Sequence, residues 1–397
     1  MTNQVPQGFS LAGVHCRIKR DPQKLDLTLV VSDRPATGAG VYTQNLVYAA
    51  PVALDRSRTP SERIRAVVIC SGVANACTGE RGLEDARQMA CLAAAQCGAA
   101  DDQALVLSTG VIGAFLPMDR IAEGIAAAAK QLGSSPAHLE AAARGMLTTD
   151  TVLKMAGRSV TIGGRKIQIT GIAKGAAMMG PNMATMLALI MTDAPLDPVT
   201  AQAALRASAD LSFNCMSVDG HMSTNDTVLL VANGAAGGGP LAGADLASFR
   251  AKLDEVAIDL AKAIAGDGEG STHLVTIKIS GCADRAAALA IAKTVANSPL
   301  VKTAIHGADP NWGRIVSAAG YADVPFNPQG VVLHLNGFLL YRDGAPVPFD
   351  AAAVSKSIRD NRDTLVQLAF SEGAAGVRFW TADLTAEYVR LNADYHT

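Results

Sequence analysis

The stretch KGAAMMGPNMATMLALIMTDA, residues 174–194, breaks at Gly180-Pro181-Asn182 and resumes as an apolar run, MATMLALIM, residues 183–191. The run reads as a buried strand, with one threonine, Thr185, near its start. A threonine opening an apolar strand is ordinarily core structure. What makes this one a candidate nucleophile has to come from elsewhere in the chain.

Outward from this run, strand-like and helical patterns alternate. Apolar β-rich runs occur at 25–32 (LDLTLVVS), 64–71 (IRAVVICS) and 104–110 (ALVLSTG), and Ala-rich helical patterns at 83–96 and 118–132. Residues 159–172 predict a hairpin, with Gly163-Gly164 supplying the positive φ that a two-residue turn requires. Beyond the run, a helix is expected at 199–211, a strand at 226–233, a loop through GAAGGGPLAG (234–243) and a long amphipathic helix to about residue 265. A strand at 273–280 and a helix at 284–297 follow. The fold class expected is α/β, an α+β layered sandwich with helices packed over mixed sheets.

Composition narrows the function. The 397 residues are 49% hydrophobic and 18% charged, with formal net charge −2 and scattered Lys and Arg, so no phosphate backbone is an expected partner. The opening MTNQVPQGF has neither a basic nor an apolar signal region, and apolar runs such as 186–191 are far too short to span a membrane. Seven cysteines without CxxC pairs point to reduced thiols and a cytoplasmic location. No HExxH or paired-cysteine motif suggests a metal, and no cofactor is expected.

Chemistry could reside in a few places. A threonine hydroxyl becomes a nucleophile when a base takes its proton. Cleavage of the chain before Thr185 would free that residue's own α-amine for the task. The hydroxyl could itself attack the Ala184 carbonyl, and Pro181 would restrain the preceding turn. Attack on a carbonyl generates an oxyanion, and STGVIG (108–113) ends an apolar strand with Thr109 and Gly110, whose backbone could stabilise it; taken alone, the segment reads first as a plain strand-to-loop turn. GDGEGST (266–272) lacks the Gly-Lys-Ser/Thr ending of a phosphate loop, which leaves Glu269 either as a partner for a substrate ammonium or as part of a turn. Lys174 could hold a substrate carboxylate or sit at a solvated strand end.

In order, these segments resemble the ornithine acetyltransferase, or glutamate N-acetyltransferase, family. The resemblance runs from GVYTQNLVYAAPV (40–52) through ANACTGE (74–80), STGVIG, PNMATMLA (181–188), STNDTVLL (223–230), GDGEG and DPNWGRI (309–315) to YVRLNADYHT (388–397). It implies self-cleavage between Ala184 and Thr185 into an α chain, 1–184, and a β chain, 185–397. It implies Thr185 as nucleophile, Thr109 and Gly110 as oxyanion hole, and Thr148, Lys174, Thr185, Glu269, Asn392 and Thr397 as substrate contacts. The implied reaction passes acetyl from N-acetylornithine to glutamate through an ester on Thr185, and leaves acetyl-CoA open as a further donor. The implied assembly is an association of α and β chains, α2β2 or larger. The sequence departs from the family pattern at Cys70, Val73, Ala176, Ala177, His221, Met222 and His273, which touches substrate choice more than nucleophile chemistry. A self-cleaving aminopeptidase or amidase, with water as acceptor, and a non-catalytic relative remain as alternatives.

Overall fold

The computed structural model describes residues 3–178, 180 and 186–394, so Ala184, Thr185 and Thr397 lie outside the described residues. In chain order the strands are β1 (Phe9–Val14), β2 (Leu27–Tyr42), β3 (Ser61–Val73), β4 (Ala104–Val111), β5 (Lys154–Ile162), β6 (Arg165–Lys174), β7 (Leu187–Thr192), β8 (Met216–Ser217) and β9 (Thr227–Ala232). They continue with β10 (Leu274–Cys282), β11 (Val332–Leu335), β12 (Phe338–Arg342), β13 (Ala345–Pro346), β14 (Asp363–Ala369) and β15 (Ala375–Ala382). Among the described residues they build two mixed sheets. The first runs β4-β3-β2-β9-β7-β6-β5 with β1 on β2, and the second runs β13-β12-β11-β14-β10-β15-β8.

Strand β7 is the buried strand the apolar run predicts. Leu187, Leu189 and Met191 face one side with the helix Pro136–Gly145, while Ala188 and Ile190 face the other with the helices Pro198–Leu211 and Gly243–Gly266. Both faces of the sheet are covered, which is why no polar alternation appears in the sequence of β7. The β5–β6 hairpin turns at Gly163 (φ 55°) and Gly164 (φ 76°), with Ile162 opposite Arg165. Two successive positive φ values match the two-residue turn expected there.

The long helix Gly243–Gly266 packs on β5 and β6 of the first sheet and on β10 and β15 of the second, joining both into one continuous core. It also ends where GDGEG begins, so its C-terminus carries that loop to the C-terminal ends of β4 and β6. The layered α/β expectation holds. Beyond residue 297 the sequence reading assigned no elements, and the structure places there the helices Pro299–His306, Trp312–Gly320, Ala351–Arg359 and Ala386–Asp394 with β11–β15.

Candidate active site

At the C-terminal end of β4, Gly110 lies in parallel register with Gly72 of β3 and has φ +131°. A Cβ on Gly110 would lie 2.2 Å from the Gly72 carbonyl carbon, so two bare backbones meet here and only glycine fits. The preceding residue, Thr109, is buried, and its Oγ1 accepts a hydrogen bond from Lys174 Nζ at 3.2 Å. Lys174 closes β6, directly opposite Leu187 at the start of β7. Its side chain is buried rather than solvated. Burial pushes the ammonium below its ordinary pKa, against the pull of the Asp150, Asp226 and Glu269 carboxylates.

Asp150 organises the loop between the helix Pro136–Gly145 and β5. Its carboxylate accepts from Gly175 N at 2.6 Å, Lys154 Nζ at 2.7 Å and Thr148 N at 2.9 Å. Burial alone would raise its pKa, but the Lys174 and Lys154 charges and the Gly175 N–H hold it well below the usual carboxylate range. Lys154, fully buried, also donates to Asp267 Oδ2 at 2.5 Å, and Asp267 accepts from Thr151 N at 3.0 Å. One buried chain of charges thus ties Thr148, Lys174 and the first residues of GDGEG together. A buried lysine is tolerable only when so paired.

The loop then delivers Glu269. Its N–H donates to the Ala176 carbonyl at 2.9 Å, and its Oε2 accepts from Asn392 Nδ2 at 2.9 Å. Asn392 sits on the helix Ala386–Asp394, whose Tyr388 hydroxyl reaches Asp219 Oδ2 at 3.2 Å. The same Asp219 oxygen accepts from Met178 N at 2.7 Å.

Thr109, Gly110, Thr148, Lys174, Glu269 and Asn392 all line one cavity of about 140 Å³. Every predicted site residue among those described is therefore in one place. Ala177 is the sole family departure on that lining; Cys70, Val73, Ala176, His221, Met222 and His273 are not part of it. Lys174 and Glu269 set a cation and an anion on the same small space, as an amino-acid substrate with both charges requires. Among the described residues, no group of three or more His, Cys, Asp or Glu side chains is placed to hold a metal, and no helix is long and apolar enough to cross a membrane.

A family model described as the ArgJ family matches residues 10–397. The chain belongs to the ArgJ family. The "Arginine biosynthesis bifunctional protein ArgJ" of Rhodopirellula baltica is 46% identical over 99% of this chain and 96% of its own length. That of Geobacter sulfurreducens is 46% identical over 98% of this chain and 99% of its own. Among solved structures, the ArgJ protein of Bacillus halodurans is similar with a TM-score of 0.51 and 36% identity, over 52% of this chain and 98% of the solved chain.

Around this cavity, sequence reasoning missed Asp150, Lys154, Asp267, Asp219, Asn225 and Asp226. Asp150 and Asp267 carried no pattern that separates them from solvated acids. STNDT (223–227) was visible as a motif, and the only signal for a role was a polar run immediately before an apolar strand.

Proposed function

We propose that this chain is an acetyltransferase of arginine biosynthesis that moves acetyl from N-acetylornithine to glutamate through an ester on Thr185, after cleaving itself between Ala184 and Thr185. The observation that carries the reading is the convergence of Thr109, Gly110, Thr148, Lys174, Glu269 and Asn392 on one cavity beside the strand that follows Thr185. Near-full-length identity to the bifunctional ArgJ relatives supports it. The half-length match to the Bacillus halodurans chain supports the cut, since a break before Thr185 leaves pieces of about that size.

The mechanism follows from the residues. In cleavage, Thr185 Oγ attacks the Ala184 carbonyl, the amide nitrogen takes a proton and leaves, and water hydrolyses the ester. The freed α-amine then serves as base. Thr185 Oγ attacks the acetyl carbonyl of the donor, its proton passes by way of the amine to the departing ornithine nitrogen, and the acetyl ester remains. The glutamate amine attacks that ester, and the Thr185 oxygen leaves with a proton. Each tetrahedral oxyanion sits at Thr109 and Gly110, beside the Lys174 ammonium. Lys174 holds the substrate α-carboxylate, Glu269 with Asn392 holds the ammonium end, and Thr148, Thr185 and Thr397 complete the contacts. Acetyl-CoA serves as the second donor, no cofactor takes part, the α and β pieces associate as α2β2 or larger, and the reaction is cytoplasmic.

The test is intact mass of the purified protein beside Thr185→Ala, followed by incubation with N-acetylornithine and glutamate. Two fragments, the second beginning at Thr185, and formation of N-acetylglutamate are expected for the parent. A single chain from both proteins, or free acetate in place of N-acetylglutamate, would overturn the reading.

A further inference from the structure

STNDT, residues 223–227, takes no part in the mechanism above, yet Ser223, Thr224, Asn225 and Asp226 are all buried just before β9. Asn225 sends its carboxamide N–H groups to two carbonyls, Ala74 at 2.6 Å and Ser108 at 2.7 Å. Its Oδ1 accepts from Thr224 Oγ1 at 2.6 Å, so the amide orientation is fixed. Ala74 follows β3 and Ser108 precedes Thr109 on β4. One side chain thus joins the ends of both strands at the turn that presents Thr109 and Gly110.

The next side chain holds the residue that precedes β7. Asp226 Oδ1 accepts the Met186 N–H at 3.0 Å, and Thr227 N–H donates to the Met186 carbonyl at 3.1 Å. Met186 is bonded to Thr185 in the chain. Asp226 is fully buried, and burial pushes its carboxyl pKa well above the usual range, against the Met186 N–H and the Lys174 charge. Neither contact is a feature of a plain strand end. Asn225 and Asp226, adjacent in the chain, thus grip two different segments.

We propose that Asn225 and Asp226 are positioning residues for acyl transfer: Asn225 fixes the Thr109-Gly110 turn through the Ser108 carbonyl, Asp226 fixes Met186, the residue that follows Thr185 in the chain, through its N–H, and their adjacency couples the start of β7 to that turn. This rests on the proposed transfer through Thr185.

The experiment compares Asn225→Ala, Asp226→Ala and Asp226→Asn with the parent as purified, cleaved proteins, measuring kcat and KM for N-acetylornithine and glutamate beside thermal midpoints. Both alanine variants are expected to lose at least about tenfold in kcat with KM held within about twofold, because spacing rather than substrate binding is disturbed. Asp226→Asn, neutral and still able to accept from Met186 N–H, is expected to recover to within about threefold of the parent. A merely structural role would lower the midpoints while leaving kcat per folded molecule intact and would show no recovery by asparagine; that pattern overturns the proposal. If Asp226→Ala does not fold, Asp226→Glu makes the same comparison by moving the acceptor one methylene, with the same loss in kcat expected and a parental kcat overturning it. A parent that transfers no acetyl would instead overturn the functional reading.

Discussion

Replacing Gly110 with alanine tests the oxyanion turn. At φ +131° a residue with a Cβ is strained by about 1–3 kcal/mol. The added carbon would also lie 2.2 Å from the Gly72 carbonyl carbon, 2.5 Å from its oxygen and 2.6 Å from Val73 N, all backbone atoms that cannot rotate away. Restoring ordinary contact requires β4 to withdraw from β3 by about 1 Å, and a displacement of that size costs about 10²-fold in rate. Loss of one oxyanion donor costs about 10²–10³-fold, or roughly 3–4 kcal/mol in the transition state. Because β4 is an edge strand, the withdrawal is local, and the protein is expected to fold with a midpoint lowered by a few degrees. The assay is the rate of appearance of the two fragments, followed by kcat for acetyl transfer, and both should fall by about 100-fold or more. Gly113→Ala is the control: its φ is +81°, but nothing lies within 4 Å of its added Cβ. It should stay within about threefold of the parent. If Gly110→Ala cleaves and turns over like Gly113→Ala, the turn is not the oxyanion site.

Lys174→Met should raise KM for N-acetylornithine by about 30-fold or more, since a buried ammonium is lost from the proposed carboxylate contact, while Asp150 keeps Lys154 and Gly175 N–H as partners. An unchanged KM would refute that contact. Glu269→Gln keeps an oxygen for Asn392 and removes the charge, so KM for N-acetylornithine should rise about tenfold with little change in midpoint. A loss confined to the midpoint would make Glu269 a loop residue only. Lys302 provides a pH test away from the site. It is buried, donates to Thr381 Oγ1 at 3.0 Å and to the Ala382 carbonyl, and burial pushes its pKa down to about 8 against the pull of Asp383 and Asp219. Below pH 8 both folded and unfolded chains hold this proton; from there to about 10.4 the unfolded chain holds more, so stability should rise with pH by about 3 kcal/mol. Urea midpoints should show this rise in the parent and not in Lys302→Met; equal slopes would refute it.

The sequence made β7, the Gly163-Gly164 hairpin and the long helix to Gly266 legible because each signal is local: an apolar run, a two-glycine turn, a 3.6-residue period. Strand β2 was foreseen only to residue 32, since its continuation through exposed Asp33, Arg34 and Pro35 looks like a turn and is held in the sheet by β3 and β9. Lys174 and Glu269 were candidates on their local setting, Thr148 and Asn392 were placed by family resemblance alone, and no local pattern could have joined the four. What gathers them is Lys154, paired with Asp267 113 positions away. Asn225 was quoted within a motif and left without a role, because its partners Ala74 and Ser108 are backbone carbonyls that leave no trace in residue type.

In the first sheet, β6 and β7 are hydrogen-bonded neighbours, and β9 lies between β7 and β2. The proposed cut falls between β6 and β7. After it, two separate polypeptides share the first sheet along the β6–β7 and β2–β9 seams, and neither holds that sheet complete, although the second sheet lies wholly in the 185–397 piece. The precursor reaches this fold as a first-order process, but the mature protein, once unfolded, has to find its partner by collision. Its recovery should therefore depend on dilution, whereas the Thr185→Ala chain should refold at a rate independent of concentration.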